Sequence, residues 1–245
     1  MKRSIAQRLL DLNRLFYREW GRDFAASREG LHKGMEESLE ILSPRGGVLD
    51  VGCGHGRIAR AWKGGILPEG ITHYVGVEQS GALLDLAPPE GPFLRFFQVD
   101  LSCPGWSHPI LSLGFPLSAA LCFSVLHHIP GRDSRLALLG EIRSLLPPGG
   151  SLALSVWQFL HVPGMAAKVK PWKEAGLREE DVEPGDVLYP WGKEGKALRY
   201  VHHFGEGELV SLVEEAGFQV ERIFRSDGRT GDLGLYVLAR WRGGD

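Results

Sequence analysis

Cysteine is scarce in this sequence, which has only Cys53, Cys103 and Cys122 among its 245 residues. Their spacing matches none of the patterns by which cysteine and histidine hold zinc, and it indicates no disulfide framework. We therefore expect reduced cysteines that serve as small core residues. We expect no metal site.

Long apolar runs are also absent from the sequence. A membrane-spanning helix needs roughly 20 consecutive apolar residues, and no segment approaches that length. The first 20 residues have neither the apolar centre nor the small-residue cleavage site of a signal peptide. These absences predict a cytoplasmic protein. Apolar residues at helical spacing, among them Leu9 and Phe16, instead predict a helix that lies on the domain.

The chain has no strong excess of charge of either sign, because its formal net charge is -2. This balance gives no indication of wholesale nucleic-acid binding. The charge is uneven, however, since residues 1–33 hold eight basic and four acidic side chains, a formal charge of +4. Such a segment is usually a solvated helix face, but it also offers the phosphate neutralisation that an RNA complex requires.

The central part of the chain alternates between short apolar segments and helical patterns. Strands are predicted at 47–52, 73–78, 94–100, 118–124 and 151–157, and a helix is predicted at 133–146. This alternation is typical of a parallel sheet with crossover helices. A stretch without a regular pattern follows, and then come a helical pattern at 206–217 and apolar runs at 218–224 and 233–240. We predict a single α/β domain with additions.

A glycine-rich turn follows the first predicted strand. Gly52, Gly54 and Gly56 come at alternate positions directly after Asp50. A dinucleotide-binding turn runs G-x-G-x-x-G, so its third glycine would stand at position 57, where this chain has Arg57. No Gly-Lys-Ser/Thr motif for a nucleoside triphosphate follows either. The spacing favours a ligand without phosphates.

Acidic residues stand at the ends of three successive predicted strands. Asp50, Glu78 and Asp100 occupy these positions. The carboxyl ends of parallel strands meet in one crevice, where Glu78 is placed to accept hydrogen bonds from ribose hydroxyls. Three acids around one crevice suit a nucleoside that carries an ammonium group.

These residues resemble the class I S-adenosylmethionine-dependent methyltransferases, whose hallmark is D-x-G-x-G-x-G followed by a ribose-binding acid. The resemblance covers residues 47–157 and implies a Rossmann-like, doubly wound, mixed seven-stranded sheet. It implies that residues 52–54 face the methionine part of S-adenosylmethionine, Glu78 the ribose, and Asp100 with Leu101 the adenine. The implied cofactor-binding set is Asp50, Gly52, Cys53, Gly54, Gly56, Glu78, Gln79, Asp100, Leu101, Phe123 and Ser124.

Outside that region, the chain resembles the tRNA methyltransferases that esterify the carboxymethyl group on wobble uridine. The resemblance rests on the aromatic-rich segment ending in Ser27-Arg28, on "PGDVLYPWG", and on the Arg199, Tyr200, His202 and Glu208 pattern. It implies tRNA as partner, and the eukaryotic relatives act with a small zinc-containing activator protein. The candidate catalytic residues are Arg28, which ends the aromatic-rich segment of this resemblance, and His128, which follows the fourth predicted strand, although a histidine pair there is often only a helix-entry feature. The candidate substrate-binding residues are Arg28, His127, Trp191, Arg199 and His202.

The two regions that carry this second resemblance are additions to the core. We divide the chain into a helical arm, residues 1–45, and a methyltransferase domain, residues 46–245, with a substrate-side insertion at about 158–203. Ligands of doubly wound sheets lie beyond the carboxyl ends of the strands. We therefore expect the arm and the insertion to cover the cofactor crevice and to form the acceptor site.

The chemistry of the acceptor separates the possible functions. A carboxylate is already a nucleophile at neutral pH, so it needs alignment and positive charge from Arg28, Arg199 and the histidines. An amine, hydroxyl or carbon acceptor needs a base, for which His128 is the candidate. The alternatives to a tRNA enzyme are a small-molecule methyltransferase, a dinucleotide-dependent oxidoreductase, which Arg57 disfavours, and a cofactor-binding module without catalysis.

Overall fold

The computed structural model describes residues 1–28, 30–67, 69–192, 195 and 197–243. The strands in chain order are β1 (Gly46–Val51), β2 (Ile71–Glu78), β3 (Leu94–Gln98), β4 (Leu117–Phe123), β5 (Ser151–Trp157), β6 (Asp186–Trp191), β7 (Ala197–His202), β8 (Gln219–Ser226) and β9 (Gly234–Arg240). The helices are α1 (Arg3–Ala26), α2 (Lys33–Leu42), α3 (Arg57–Lys63), α4 (Gly81–Leu84), α5 (His108–Leu111), α6 (Arg132–Ser144), α7 (Pro163–Ala166) and α8 (Glu206–Glu215). Short 3-10 turns lie at Leu126–His128, Phe159–His161, Trp172–Ala175 and Glu179–Asp181.

Seven strands form one mixed sheet in the order β3-β2-β1-β4-β5-β9-β8. Strands β1 to β5 are parallel, and β9 runs antiparallel between β5 and β8. The strand order reverses between β1 and β4, which makes the carboxyl ends of these two strands the switch point where ligands bind. The sheet confirms the predicted doubly wound fold.

The central strands are buried on both faces, which is why their sequences are predominantly apolar with only isolated polar residues. Successive residues of β1 belong to different cores: Leu49 packs on the side of α6 and α8, while Val48 packs on the side of α2 and α3. Side chains alternate across a strand, so one short apolar segment serves both layers. Burying each such side chain stabilises the fold by about 1.5–3 kcal/mol.

The predicted N-terminal helix is confirmed as α1. Its buried side chains recur at helical spacing, and Ile5 and Leu9 pack against Trp172, Leu188 and Tyr200 of the insertion. The helix ends at Ser27, whose hydroxyl donates a hydrogen bond to the Phe24 carbonyl. The arm is therefore packed on the insertion. In the part of the chain that the structure describes, no helix combines the length and the apolar composition that crossing a bilayer requires.

The insertion contains regular structure that the sequence did not predict. Strands β6 and β7 form an antiparallel hairpin, in which Leu188 pairs with Tyr200 and Tyr189 with Arg199. Neither strand alternates cleanly between apolar and polar residues. The reason is that α1 and the 3-10 turns pack on the hairpin, so that most of its side chains are buried. The hairpin places Arg199 at the edge of the cavity described below.

Candidate functional site

A cavity of about 480 Å³ opens at the carboxyl ends of β1, β2, β4 and β5. This volume lies within the range of small-molecule sites. The glycine turn and Glu78 line one side of it, and α1 and the hairpin contribute Tyr17 and Arg199 on another. The arm and the insertion thus both reach the crevice at the switch point.

The three glycines of the turn all have positive φ, at 69°, 58° and 73°. A side chain at Gly52 would collide with Val125, since an added Cβ would lie 2.3 Å from Cγ2 of that residue. One at Gly56 would lie 2.8 Å from Pro88, whereas nothing lies within 4 Å of the corresponding position at Gly54. At Gly52 and Gly56, the absence of a side chain therefore avoids a clash with other residues of the protein. Gly54 is the glycine whose open side suits a ligand.

Glu78 lines the cavity at the end of β2, as predicted. Its Oε1 accepts hydrogen bonds from the backbone N–H groups of Gln79 and Ser80, each at 2.8 Å, and its Oε2 accepts one from Gly54 at 3.1 Å. Burial raises the pKa of the Glu78 carboxyl, and these three donors act against that rise. A carboxylate has about four acceptor positions, so Oε2 keeps capacity for one further donor.

Asp50 and Asp100 do not line the cavity, in contrast to their predicted cofactor contacts. Asp50 is buried and accepts a hydrogen bond from the Tyr74 hydroxyl, and burial raises its pKa to about 7. Asp100 accepts 2.5 and 2.6 Å hydrogen bonds from Arg14 and Ser102. Asp50 therefore joins β1 to β2, and Asp100 anchors α1. Gly56 is likewise outside the lining.

The remaining residues of the predicted cofactor set lie in one place. The side of the cavity that they form joins the glycine turn to the ends of β2 and β4. They are Gly52, Cys53, Gly54, Glu78, Gln79, Leu101, Phe123 and Ser124. A glycine turn open at Gly54, a carboxylate at the end of β2 and the apolar side chain of Leu101 fit S-adenosylmethionine in polarity and in size.

His128 lines the cavity, and its position is fixed by contacts of both ring nitrogens. Its Nδ1 lies 3.1 Å from the Tyr200 carbonyl oxygen, and its Nε2 lies 3.2 Å from the Tyr17 hydroxyl. A carbonyl only accepts, so Nδ1 is the donor, and Nε2 accepts the hydroxyl proton. Burial and the nearby positive charge of Arg199 lower the pKa of His128 to about 3. The imidazole is neutral at physiological pH.

Arginines supply the positive charge at the cavity. Arg28, Arg57 and Arg199 all line it. Arg199 is 4% exposed, and its guanidinium lies 5.3 Å from the ring centroids of Phe16 and Trp157. Its Nε has no hydrogen-bond partner, and no carboxylate of the described residues forms an ion pair with it. Arg28 lies 4.7 Å above the Phe24 ring.

The other predicted acceptor residues differ in their placement. His127 lines the cavity and is buried; its Nδ1 accepts a 3.4 Å hydrogen bond from the backbone of Trp157. Trp191 stands behind the cavity wall, packed on Phe24 and Phe16. His202 does not line the cavity, so the structure gives no support to its predicted substrate contact. Its ring is buried, with Nδ1 2.7 Å from Asp186 and Nε2 2.9 Å from Glu208.

Several residues that line the cavity were missed by sequence reasoning, among them four with polar or aromatic groups. Tyr17 and Phe24 line the cavity from α1, and Arg57 lines it from the start of α3. Asn13 donates to the carbonyls of His128 and Tyr200 and accepts from the Tyr200 N–H. Only Arg57 stood out in the sequence, where it served to exclude a dinucleotide. The aromatic-rich segment contained Tyr17 and Phe24 without showing which faces they occupy.

Three of the eight basic side chains in residues 1–33 form ion pairs within the described part of the protein. Arg14 forms ion pairs with Asp11 and Asp100, Arg18 with Glu19, and Arg22 with Asp85. A paired guanidinium offers less to a phosphate than a free one does, because the carboxylate beside it repels the anion. Ion pairing therefore reduces what Arg14, Arg18 and Arg22 offer to phosphate, whereas the other five basic side chains of residues 1–33 form no ion pair with a described carboxylate.

The sheet order, the glycine turn and the cavity together define a class I S-adenosylmethionine-dependent methyltransferase. The chain belongs to the methyltransferase domain family, whose model matches residues 17–223. Family and fold confirm that the protein is an enzyme and that its predicted cofactor is S-adenosylmethionine.

Two relatives illustrate the family. A protein of Encephalitozoon cuniculi, named as a methyltransferase, is 30% identical over 211 residues, which cover 84% of this chain and 86% of that one. The tRNA (carboxymethyluridine(34)-5-O)-methyltransferase of Schizosaccharomyces pombe is 28% identical over 205 residues, 75% of this chain and 78% of that one. The chain spans less than a third of the length of the mammalian tRNA methyltransferases that it also matches.

Two solved structures share the fold. The 1,6-didemethyltoxoflavin-N1-methyltransferase of Burkholderia thailandensis, with its substrate and S-adenosylhomocysteine bound, has a TM-score of 0.60 at 21% identity, covering 98% of this chain and 90% of that one. A Haloferax volcanii methyltransferase in complex with the Trm112 methyltransferase activator has a TM-score of 0.64 at 16% identity, covering 95% of this chain and 98% of that one.

Proposed function

We propose that this methyltransferase esterifies a carboxylate, and that the carboxylate is the carboxymethyl group on wobble uridine of tRNA. The observation that carries the proposal is the buried Arg199 at the cavity, with its unpartnered Nε and no carboxylate paired to it. A buried charge without a counter-ion is costly, and a carboxylate ligand offers the compensation. Arg28, at the same cavity, adds a second guanidinium.

The state of His128 supports the same chemistry. Both ring nitrogens already have hydrogen-bond partners, and the lowered pKa makes the imidazole a poor proton acceptor at neutral pH. An amine or hydroxyl acceptor needs a base to take its proton, whereas a carboxylate has no proton to lose. The histidines therefore do not supply the positive charge that the sequence suggested. Arg28 and Arg199 supply it.

In this proposal the chain aligns, neutralises and shields the two reactants. When bound, S-adenosylmethionine supplies an electrophilic methyl group. Arg199 and Arg28 hold the acceptor carboxylate, and a guanidinium can do so through two parallel hydrogen bonds. His128 fixes the Tyr17 hydroxyl at the cavity. The side chains of Phe24 and Trp157 line the cavity and exclude water around the acceptor.

Support for tRNA comes from the names of the relatives and from three neighbouring lysines of the insertion, whose formal net charge over residues 158–203 is zero. The yeast relative named above methylates carboxymethyluridine in tRNA according to its name. In the described part of the chain, Lys168, Lys170 and Lys173 form no ion pair, and Lys168 and Lys173 are exposed. These lysines suit phosphate contacts better than the paired arginines of the arm. A small activator protein is part of the proposal, supported by the Haloferax neighbour.

The alternative is a small-molecule acceptor methylated on oxygen, nitrogen or carbon, since the Burkholderia neighbour acts on a small molecule. The test is incubation with methyl-labelled S-adenosylmethionine and total tRNA, followed by mild alkali. Alkali releases an ester methyl group as methanol, while methyl groups on nitrogen or carbon remain bound. We expect alkali-labile label in tRNA, and nucleoside analysis should place it on carboxymethyluridine. Alkali-stable label would overturn the carboxylate proposal, and alkali-labile label confined to small molecules would overturn the tRNA proposal.

A further inference from the structure

We propose that His202 is a positioning residue of the acceptor site, which acts as an imidazolium cation to hold the hairpin of β6 and β7 against α6 and α8. Arg199 lies on the same strand as His202, three residues earlier. The ionisation of His202 does not depend on the acceptor, whereas its effect on methyl transfer rests on the proposed role of Arg199.

The first support is the pair of acids that face the His202 ring. Nδ1 lies 2.7 Å from Oδ1 of Asp186, and Nε2 lies 2.9 Å from Oε1 of Glu208. A neutral imidazole has one donor nitrogen and one acceptor nitrogen, whereas a carboxylate only accepts. Two carboxylates therefore require both ring nitrogens to donate, which only the imidazolium form can do.

The surroundings of the two acids indicate that both are ionised. Oδ1 of Asp186 also accepts a hydrogen bond from the Tyr200 hydroxyl, and its Oδ2 accepts one from a backbone N–H group. Oε2 of Glu208 accepts a 3.4 Å hydrogen bond from the Gly205 N–H. Apart from the His202 ring, the hydrogen-bond partners of both acids among the described residues are donors. Neither acid therefore has an acceptor for a proton of its own.

The charge balance of this cluster is the second support. The side chains of Arg135, Asp186 and His202 are at most 1% exposed, and the partly exposed Glu208 completes the cluster. With His202 protonated, two cations balance two anions. Without that proton, the cluster has an uncompensated negative charge, which is costly at a buried position. Burial by itself would lower the pKa of His202, but hydrogen bonds with Asp186 and Glu208 raise it above its ordinary value, while the charge of Arg135 acts against that rise.

Other ionisable groups near the cluster do not supply the balancing charge. Glu183, which precedes β6, is an acid, and the cation nearest to it among the described residues is the amino group of Met1 at 3.3 Å. Burial lowers the pKa of both His127 and His203, so these two rings are neutral at physiological pH. The proton that balances the cluster is therefore on His202.

The cluster acts on the acceptor site through strand β7. Side chains alternate across a strand, so Tyr200 and His202 face the cluster while Arg199 lies on the opposite side, at the cavity. Tyr200 joins the two sides, because its hydroxyl donates to Asp186 and its carbonyl accepts from the His128 ring. Without its second proton, His202 would direct a nitrogen lone pair at a carboxylate. The hairpin would then lose part of its attachment to the core, and Arg199 its fixed position.

The test compares the wild-type protein with Glu208→Gln. A glutamine amide can donate to a neutral imidazole, so this variant needs no imidazolium, and glutamine can still cap the N-terminus of α8. NMR of isotope-labelled histidine should show that His202 loses its second proton at higher pH in the wild type than in Glu208→Gln, with His202→Gln identifying the resonance. A His202 ring with the same titration in both proteins would overturn the proposed imidazolium.

Amide hydrogen exchange over residues 197–202 measures the attachment of the hairpin without any acceptor. At one pH above the wild-type midpoint, exchange should be about tenfold or more faster in the wild type than in Glu208→Gln, the effect of losing one charge-assisted hydrogen bond. Equal exchange rates at that pH would overturn the positioning role. His108→Gln is the control, because His108 is exposed on α5 and should leave the exchange unchanged.

Turnover is followed as release of S-adenosylhomocysteine, because an ester product is itself labile to alkali. Above the midpoint, kcat/KM of the wild type should fall about tenfold per pH unit, the slope of a single proton, and Glu208→Gln should lack this fall. Identical pH profiles would overturn the effect of His202 on methyl transfer. If tRNA is not methylated at all, the proposed function fails, while the NMR and exchange measurements still decide the role of His202.

Discussion

Replacing Arg199 with glutamine should reduce catalysis strongly while leaving the folded protein intact. If Arg199 pairs with the acceptor carboxylate, Arg199→Gln leaves that carboxylate without its partner in a site of low polarity. Removing one member of a buried ion pair costs about 3–5 kcal/mol. Because about 1.4 kcal/mol corresponds to a factor of ten, kcat/KM should fall by roughly two to three orders of magnitude or more.

Although Arg199→Gln should reduce catalysis, it should not reduce the stability of the folded protein. In the protein without acceptor, Arg199 is a buried cation with no carboxylate paired to it among the described residues. Its contacts with Phe16 and Trp157 are cation–π interactions, worth about 0.5–2 kcal/mol each, and they are lost in the variant. Removing the charge also removes a desolvation penalty of several kcal/mol. We therefore expect a free energy of unfolding that is unchanged or higher.

The assay measures turnover on tRNA, cofactor affinity and Tm for the same preparation of Arg199→Gln. Arg132→Gln is the matched control, because Arg132 is exposed and pairs with Glu215 far from the cavity. Wild-type turnover in Arg199→Gln would refute the role of Arg199 in holding the acceptor. A Tm lower by more than about 4 °C, which is roughly 1 kcal/mol or more for a domain of this size, together with loss of cofactor binding would refute the stability argument.

Three further predictions concern the other ionisable groups of the site. Glu78→Gln should weaken S-adenosylhomocysteine binding by about tenfold or more in calorimetry, because an amide cannot accept all the hydrogen bonds that the carboxylate accepts; unchanged affinity would remove Glu78 from the site. Asp50→Asn should raise Tm more at pH 8 than at pH 5.5. The pKa of Asp50 is about 7 in the folded protein, above its value in the unfolded chain. The wild-type protein therefore loses the stability that the protonated carboxyl gives as the pH rises to 7 and beyond, whereas the variant has no carboxyl to ionise. A Tm difference independent of pH would contradict it. His128→Gln should keep appreciable turnover with an unchanged pH profile, and a loss of about 10²–10⁴-fold would instead indicate a general base. The same variant should lose less stability than the wild type between pH 6.5 and 3, where the unfolded state binds a proton that the folded His128 does not.

The fold was largely predictable because its central strands are buried on both faces. Segments 47–52 and 151–157 are mostly apolar, with Asp50 in the first and Ser151 and Ser155 in the second, and a turn or a polar residue follows each. The hairpin of β6 and β7 was not predictable in the same way. Its burial comes from contacts with Leu9 and Ile5, more than 170 residues earlier in the sequence, and Pro190 lies within its first strand. The local sequence pattern of this segment therefore indicated irregular structure.

The site was predictable where backbone position decides the outcome and unpredictable where side-chain partners do. The positions of Gly54 and Glu78 follow from the strand ends, and the structure places both at the cavity. Asp50 and Asp100 stand at strand ends as well, yet Tyr74 and Arg14 engage them. Arg14 precedes Asp100 by 86 residues, so no local pattern could indicate that pairing.

The acceptor side of the cavity depends on the arm and the insertion together. Asn13 of α1 bonds to Tyr200 of β7 in both directions and to the His128 carbonyl, and the Tyr200 carbonyl in turn accepts from the His128 ring. His128 then accepts the hydroxyl of Tyr17, which returns to α1. This hydrogen-bond network joins the arm and the insertion, which in the sequence are separate additions to the core. These contacts support our proposal that the arm and the insertion form the acceptor site together.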